Sequence, residues 1–182
     1  MPQWIAIRND MLNKITIENF DIFYDILVDN FPKNELRPKR NMQRTMSNEK
    51  YILLSFCEEN RLIGGTAIWQ LSDFIFIEYL AVDKSFRNKG LGAQILKELT
   101  DLYKLPLVLE AEPPDTDIAK RRIGFYQRNG FFLNDYPYEQ PAYSEKQAAV
   151  PLVIMTSEGF INPERFTDIK RVIYKEVYNK DI

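Results

Sequence analysis

Histidine is absent from this chain of 182 residues, and Cys57 is its only cysteine. Without histidine, the Ser-His-Asp and Cys-His nucleophilic systems and every zinc site built on imidazole are excluded. One cysteine cannot form an internal disulfide, and we expect Cys57 to pack as a small apolar residue because no neighbouring feature activates its thiol. Acid or base chemistry must come from Glu, Asp, Tyr, Lys or Cys57, and we expect no metal site.

An excess of positive charge is also lacking, because 24 Lys and Arg residues stand against 26 Asp and Glu residues. A net charge of −2 provides no global positive field for nucleic acid or an anionic membrane. No apolar run reaches the roughly 20 residues that cross a bilayer, and residues 1–14 lack a signal-peptide pattern. We therefore expect a cytoplasmic protein with neither nucleic acid nor membrane as partner.

The length and the hydrophobic content of 45% suit a single domain over residues 1–182. Its core is expected at about 14–157, followed by a helical appendage over 162–179. Apolar periodicity predicts helices in the first third, a hairpin over 51–70, a buried strand at 74–82 and a strand-helix-strand crossover over 74–111. A helix at 117–128 and two closing strands follow, with residues 134–149 interpreted as an aromatic-lined loop over a site. The fold class is thus mixed α/β.

The most specific motif is Arg87-Asn88-Lys89-Gly90-Leu91-Gly92, which directly follows the buried strand and opens a helix. A helix N-terminus offers unpaired N–H groups and partial positive charge, and glycine lets an anion approach the backbone. These features predict a nucleotide-like pyrophosphate ligand. A capped turn is the alternative, and neither a G-x-G-x-x-G dinucleotide fingerprint nor a G-x-x-x-x-G-K-[ST] phosphate loop occurs.

Three segments in this order resemble the GNAT superfamily of acetyltransferases: Ile77–Val82, Arg87-x-x-Gly90-x-Gly92, and Ile123–Phe131. The resemblance covers about residues 51–155. It implies a mostly antiparallel central sheet in which two parallel strands splay apart, with helices on its faces. The helix after Asn162 lies outside the usual core of such folds.

The resemblance implies acetyl-coenzyme A as co-substrate, bound largely through the backbone. The main chain of the third strand would hold the pantetheine arm, and the glycine-rich turn would hold the pyrophosphate. A peptide N–H at Leu80 could also stabilise charge on the thioester oxygen. The residues implied in cofactor binding are Leu80, Ala81, Val82, Arg87, Asn88, Lys89, Gly90, Leu91, Gly92 and Ala93.

The implied reaction is direct attack of an amine on the acetyl carbonyl, which needs a base for the amine and an acid for the departing thiolate. Tyr126 matches the family position often used as general acid. Glu78, a lone carboxylate in an apolar run, and Glu110 on the neighbouring strand are the candidate bases, because burial would raise either pKa. Proton transfer through ordered water is the alternative to both.

For the acceptor we expect a small-molecule or peptide amine, bound by aromatic and acidic side chains that favour ammonium groups. The candidates are Tyr136, Tyr138 and Tyr143, with Asp135, Glu139 and Glu145 beside them. The alternative is that they merely anchor a surface loop. A further hypothesis is a catalytically inactive coenzyme-A-binding sensor or interaction module. The amphipathic C-terminal helix could cover the protein's own sheet or build a homodimer.

Overall fold

The computed structural model describes residues 12–181. Residues 1–11, on which the prediction of no signal peptide largely depends, lie outside that range. None of the helices within it is long and apolar enough to cross a membrane. In chain order the elements are β1 Leu12–Lys14, α1 Phe20–Val28, α2 Lys39–Thr45, β2 Tyr51–Glu58, β3 Arg61–Gln70, β4 Ile75–Val82, a 3-10 turn Lys84–Phe86, α3 Leu91–Tyr103, β5 Leu107–Ala111, α4 Asp117–Arg128, β6 Phe132–Gln140, β7 Val150–Thr156 and α5 Pro163–Glu176.

The strands form one sheet of seven in the order β1-β2-β3-β4-β5-β7-β6. β4 and β5 run parallel, because α3 carries the chain across one face between them, and every other neighbouring pair is antiparallel. The predicted β2–β3 hairpin is present, and Glu59 and Asn60 make its turn at positive φ values of 49° and 64°. The predicted fold class, a mixed and mostly antiparallel sheet with one parallel pair, is confirmed.

Helices cover both faces of the sheet and divide the core into two clusters of buried side chains. One cluster contains residues of α1, α2 and α5, among them Phe23, Met42 and Ile169. The other contains residues of α3 and α4, such as Leu99 and Ile123. Since β4 contributes to both clusters, its nearly continuous apolar sequence is explained by burial on two sides.

The C-terminal helix α5 packs on the chain's own sheet. Asn162 caps it by accepting a hydrogen bond from the Arg165 N–H at 2.9 Å, and Pro163 occupies the first turn. Its apolar face, formed around Phe166 and Ile173, is buried in the same cluster as strand residues of β6 and β7. Of the two uses that the sequence leaves open, the structure shows coverage of the sheet, and the homodimer stays a prediction.

Two segments differ from the sequence-based prediction. The short strand β1 was not predicted, because three residues are too few to show a period. The segment 134–149, predicted as a loop, is strand up to Gln140. The strand was not predicted beyond Leu133 because Pro137 lies within it, and proline is rare inside strands. It is tolerated because the β6–β7 register shifts between Asn134 and Tyr138, so that Pro137 lies where the pairing is interrupted.

Candidate active site

The parallel strands β4 and β5 pair over three residues only and then part. Ile75–Ile77 pairs with Leu107–Leu109, and no pairing continues beyond them. On its other side β4 carries a bulge, because Ala67 opposes Tyr79 while Ile68 opposes Ile77, which leaves Glu78 as the extra residue. The bulge lies at the point where β4 and β5 separate. Because the extra residue interrupts the alternation of the strand, Glu78 and Tyr79 lie on the same face of the sheet, where both contact the Tyr143 hydroxyl.

A cavity of about 90 Å³ lies where the strands part. It brings together the three residues predicted as catalytic, Glu78, Glu110 and Tyr126. The further lining residues are Asn30, Phe31, Glu35, Tyr79, Leu80, Ala111, Glu112, Arg122, Gln140 and Leu152. A larger open hollow of about 680 Å³, at the end of α1 beside the β2–β3 turn, contains none of the three. We therefore take the cavity between β4 and β5 as the candidate site.

Glu78 is held by four hydrogen bonds from three side chains. Its Oε1 accepts from Arg37 Nε at 2.9 Å, from Arg37 Nη2 at 2.7 Å and from the Tyr143 hydroxyl at 2.8 Å, and its Oε2 accepts from Trp69 Nε1 at 3.1 Å. The side chain is 1% exposed. The guanidinium compensates the buried negative charge, and little of the carboxylate is left to accept a proton from a substrate.

Glu110 faces the cavity without such a counter-ion among residues 12–181. Its Oε1 accepts from the hydroxyl of Tyr138 and its Oε2 from the hydroxyl of Tyr178 at 2.7 Å. Burial raises the pKa of Glu110 to about 7, with a smaller contribution from the charge of Glu78, although both tyrosine hydrogen bonds oppose the rise. A carboxyl that changes its protonation state near neutral pH is suited to act as a base.

Tyr126 enters the cavity from α4, on the opposite face of the sheet. Thr116 starts this helix by accepting a hydrogen bond from the Ala119 N–H at 3.1 Å. The Tyr126 ring packs edge-on against Phe125 and Phe131, with centroid distances of 5.2 and 5.7 Å. Its hydroxyl has no hydrogen-bond partner in the described part of the chain, and burial raises its pKa. The phenol is thus kept protonated, fixed in orientation and free to donate.

The N-terminus of α3 lies at the end of the predicted cofactor motif. Gly90 precedes the helix at a φ of +79°, which a side chain would strain, and a Cβ there would meet nothing within 4 Å. The first helical hydrogen bond runs from the Gln94 N–H to the Gly90 carbonyl, so the N–H groups of residues 91–93 have no acceptor within the helix. Residues 91–93 are half-buried, hence partly accessible to a ligand.

Gly92 also lies at a close contact between two helices, while its predicted role in cofactor binding stays a prediction. A Cβ at Gly92 would lie 3.0 Å from Cζ of Phe125, so this glycine lets α3 approach α4 closely. The basic side chains of the motif lie at the surface nearby: Arg87 donates to Asn30 Oδ1 at 2.9 Å, and the Lys89 ammonium lies 4.6 Å from the centroid of the Phe86 ring. Positive charge is therefore present beside the helix N-terminus, as expected.

The three tyrosines predicted to bind substrate do not line the cavity. Tyr138 and Tyr143 instead contact the carboxylates that line it: the Tyr138 hydroxyl donates to Glu110, and the Tyr143 hydroxyl donates to Glu78. Tyr136 donates to the Ile161 carbonyl at 2.9 Å and packs on Phe166 of α5, away from the cavity. The acidic residues predicted beside them, Asp135, Glu139 and Glu145, are exposed and are not among the cavity's lining residues.

Several cavity residues were missed by sequence reasoning. Glu35 lies between α1 and α2, and burial, followed by the nearby charge of Glu112, raises its pKa. Arg122 of α4 pairs with Glu112 at 2.9 Å. Gln140 is 3% exposed, and its Nε2 has no hydrogen-bond partner in the part of the chain that the structure describes. Of these residues only Gln140 could have been predicted from the sequence. Had 134–140 been interpreted as a strand, its alternation would have placed the Gln140 side chain on the inner face.

A mixed sheet that opens between two parallel strands beside a glycine-started helix defines the class of acetyltransferases that the sequence resembles. The model of the Acetyltransferase (GNAT) family matches residues 20–131. The chain belongs to this family, which confirms the resemblance.

Relatives with known sequence or structure agree with this assignment. The Bacillus subtilis (strain 168) protein named "Putative acetyltransferase YjbC" is 31% identical over 111 residues, which are 60% of this chain and 56%, little more than half, of that relative. A solved structure named "Putative acetyltransferase from GNAT family" from Bacteroides thetaiotaomicron shares 29% identity over 93% of this chain and 99% of its own, with a TM-score of 0.85. A GNAT family acetyltransferase from Elizabethkingia anophelis, solved with acetyl-CoA bound, shares the fold at 19% identity, 80% and 95% coverage and a TM-score of 0.57.

Proposed function

We propose that this protein is an acetyl-CoA-dependent N-acetyltransferase, which transfers an acetyl group to a primary amine of a small molecule or peptide by direct attack in a ternary complex. The observation that carries the proposal is the pairing of Glu110 and Tyr126 in one cavity, which they enter from opposite faces of the sheet. One is a carboxyl with a pKa near neutrality, and the other is a phenol whose hydroxyl has no hydrogen-bond partner among residues 12–181. These are the two proton-transfer groups that aminolysis of a thioester requires.

The coenzyme-binding role rests on the chain's own backbone. The N–H groups of residues 91–93, at the positive end of α3, fit the pyrophosphate, and Arg87 and Lys89 supply the neighbouring positive charge. The part of β4 over residues 80–82, next to the gap, offers main-chain groups to the pantetheine arm. The Val82 carbonyl already accepts a hydrogen bond from Asn30 Nδ2 at 3.3 Å, so we assign that arm chiefly to Leu80 and Ala81.

In the proposed reaction a bond forms between the amine nitrogen and the acetyl carbon, and the carbon–sulfur bond breaks. Glu110 accepts the proton that the amine loses, and Tyr126 donates a proton to the departing thiolate. We favour Glu110 over Glu78 as the base, because the Arg37 guanidinium pairs with Glu78, whereas Glu110 has no cationic partner among residues 12–181. Glu78 then acts as a fixed anion beside the base, and its charge helps to raise the pKa of Glu110.

The cavity's charges support a cationic acceptor. Four carboxylates line it, those of Glu35, Glu78, Glu110 and Glu112. Among the described residues the lining contains one guanidinium, that of Arg122, and Arg37, outside the lining, pairs with Glu78. Such an excess of carboxylates attracts an ammonium group and disfavours an anionic neighbour on the same substrate. The unpartnered Nε2 of Gln140 can donate a hydrogen bond to an oxygen of the acceptor.

A thiol-release assay with acetyl-CoA and a panel of amines tests the proposal. The panel contains a polyamine, an aminoglycoside, lysine and a peptide with a free N-terminus. We expect turnover with at least one acceptor and a loss of about 100-fold in kcat for Tyr126→Phe, in the usual range for a general acid. Tyr103→Phe, which removes a half-buried hydroxyl outside the cavity, is the matched control and should retain activity.

Two results of this assay would contradict the proposal. Coenzyme binding by calorimetry without turnover of any amine would support the sensor hypothesis, and equal loss in Tyr126→Phe and Tyr103→Phe would remove the acid role from Tyr126.

A further inference from the structure

Two buried residues after α5 touch the hydrogen-bond system around both carboxylates. The Val177 carbonyl accepts from Arg37 Nη2 at 3.0 Å, and the same nitrogen donates to Glu78. The Tyr178 hydroxyl donates to Glu110 Oε2 at 2.7 Å. Val177 and Tyr178 are 4% and 7% exposed. The helical appendage therefore ends inside the system that supports the candidate site.

The Tyr178 ring is fixed by other aromatic rings. Its centroid lies 5.1 Å from that of Tyr143 and 6.5 Å from that of Tyr174. The Tyr143 hydroxyl lies 2.8 Å from Glu78 Oε1 and 3.5 Å from the Tyr178 hydroxyl. The two phenols thus form a line between the carboxylates, in which Tyr143 donates to Glu78 and Tyr178 donates to Glu110.

We propose that Tyr178 is a positioning residue for Glu110, and that α5 with the segment after it is a working part of the active site. The proposal rests on the proposed function only in the role that it gives Glu110 as base. Because the Tyr178 hydroxyl donates to Oε2 and the Tyr138 hydroxyl donates to Oε1, the two hydrogen bonds fix the orientation of the Glu110 carboxylate plane. A hydrogen bond to the ionised form also favours that form, which is the one that accepts a proton.

Glu110 titrates in a field of charges from several elements. The titratable and charged groups that surround it are Tyr138 of β6, Tyr174 of α5, Tyr178 after α5, Glu78 of β4, Glu35 before α2, Glu112 after β5, and Arg122 and Tyr126 of α4. Burial raises its pKa and the hydroxyl of Tyr178 lowers it. Removal of that hydroxyl should therefore move the titration of Glu110 to higher pH.

Carbon-13 NMR of protein labelled at the glutamate carboxyls measures this titration without any turnover. The Glu110 resonance is assigned by its loss in Glu110→Gln. We expect Tyr178→Phe to raise the Glu110 midpoint by about 0.5 to 1 pH unit. Tyr174→Phe removes a hydroxyl from α5 that donates instead to the Glu139 carbonyl, so it should leave the midpoint unchanged.

Replacing Tyr178 with 3-fluorotyrosine provides a second variant that keeps the ring and hydroxyl in place. A fluorinated phenol is a stronger hydrogen-bond donor, so the Glu110 midpoint should move down. A midpoint that moves in neither variant would overturn the proposal.

The pH dependence of kcat/KM separates positioning from simple destabilisation. In Tyr178→Phe the acidic limb should shift by the amount seen in the NMR titration, with a loss of about three- to tenfold at pH 6 and near-normal activity at pH 9. A uniform loss at every pH would indicate a structural role and count against the proposal. If the unmodified protein turns over no amine, the proposed function fails, while the NMR titration still decides the role of Tyr178.

Discussion

At the scale of single residues, Arg37 determines what the buried Glu78 can do. Both side chains are almost fully buried, at 9% and 1% exposed, and two nitrogens of Arg37 bind the same carboxylate oxygen. The guanidinium also lies 4.5 Å from the centroid of the Tyr143 ring. Arg37→Met should therefore leave an uncompensated buried charge and lower the free energy of unfolding by about 3–5 kcal/mol, as measured by urea denaturation.

A control and a rescue accompany this prediction. Arg40→Met, at an exposed position of α2, should change the free energy of unfolding by less than about 0.5 kcal/mol. The double variant Arg37→Met/Glu78→Met removes both charges and should recover at least half of the loss, because no unpaired ion remains. If the single variant lost under about 1 kcal/mol, the ion pair would not have the importance that we assign to it.

At the scale of elements, the contact between α3 and α4 sets the position of the helix N-terminus that we propose binds the coenzyme. Gly92→Ala places a Cβ 3.0 Å from Phe125 Cζ, tighter than ordinary contact. We expect a loss of about 1–2 kcal/mol in the free energy of unfolding and weaker coenzyme binding by calorimetry, since the half-buried Phe125 ring or α3 must shift to relieve the contact. Adding Phe125→Leu should restore part of both.

Gly124→Ala on α4 is the matched control with the opposite sign. The added Cβ would be 3.3 Å from Nη1 of Arg128, the end of a flexible side chain. Alanine favours a helix interior over glycine, so this variant should gain up to about 1 kcal/mol. Equal stability losses in Gly92→Ala and Gly124→Ala would show that the effect is not specific to the α3–α4 contact.

The elements themselves were predictable wherever one period continued for several residues. The apolar spacing of α3, the continuous strand β4 and the Asn162-Pro163 start of α5 all gave correct predictions. β6 was shortened because its proline obscured the alternation. A proline fits inside a strand where the register shifts and the pairing is interrupted. The position of that shift depends on the partner strand, here β7, and not on the local sequence.

The candidate site was predictable only in part, for a related reason. Tyr126 and Glu78 lie in two of the three segments that resemble the family, and Glu110 was predicted from its place on the strand beside Glu78. Arg37 is 41 residues from Glu78, and Tyr178 is 68 residues from Glu110. These contacts depend on how far β4 and β5 separate and on where α5 ends. Neither can be predicted from the periodicity of a local segment.

For the whole molecule, the two faces of the sheet supply different parts of the proposed chemistry. α3 and α4 provide the helix N-terminus and Tyr126 on one face, whereas the other face provides both buried carboxylates with their partners from Arg37 and Tyr178. The gap between β4 and β5 is where the two faces meet. A coenzyme can thus bind from one side and an amine from the other, as direct transfer in a ternary complex requires.

The raised pKa of Glu110 also couples the stability of the whole fold to pH. Its folded-state pKa of about 7 exceeds the ordinary value of 4.5. The folded protein then binds more protons at this group than the unfolded chain does, so the contribution of Glu110 to stability is fully present below pH 4.5 and is lost as pH rises through about 7. Glu110→Gln should lack this loss, and the difference in unfolding free energy between variant and unmodified protein should increase by about 1–3 kcal/mol from pH 5 to pH 8. Urea denaturation at both pH values measures it, and a constant difference would mean that Glu110 titrates alike in the folded and unfolded states.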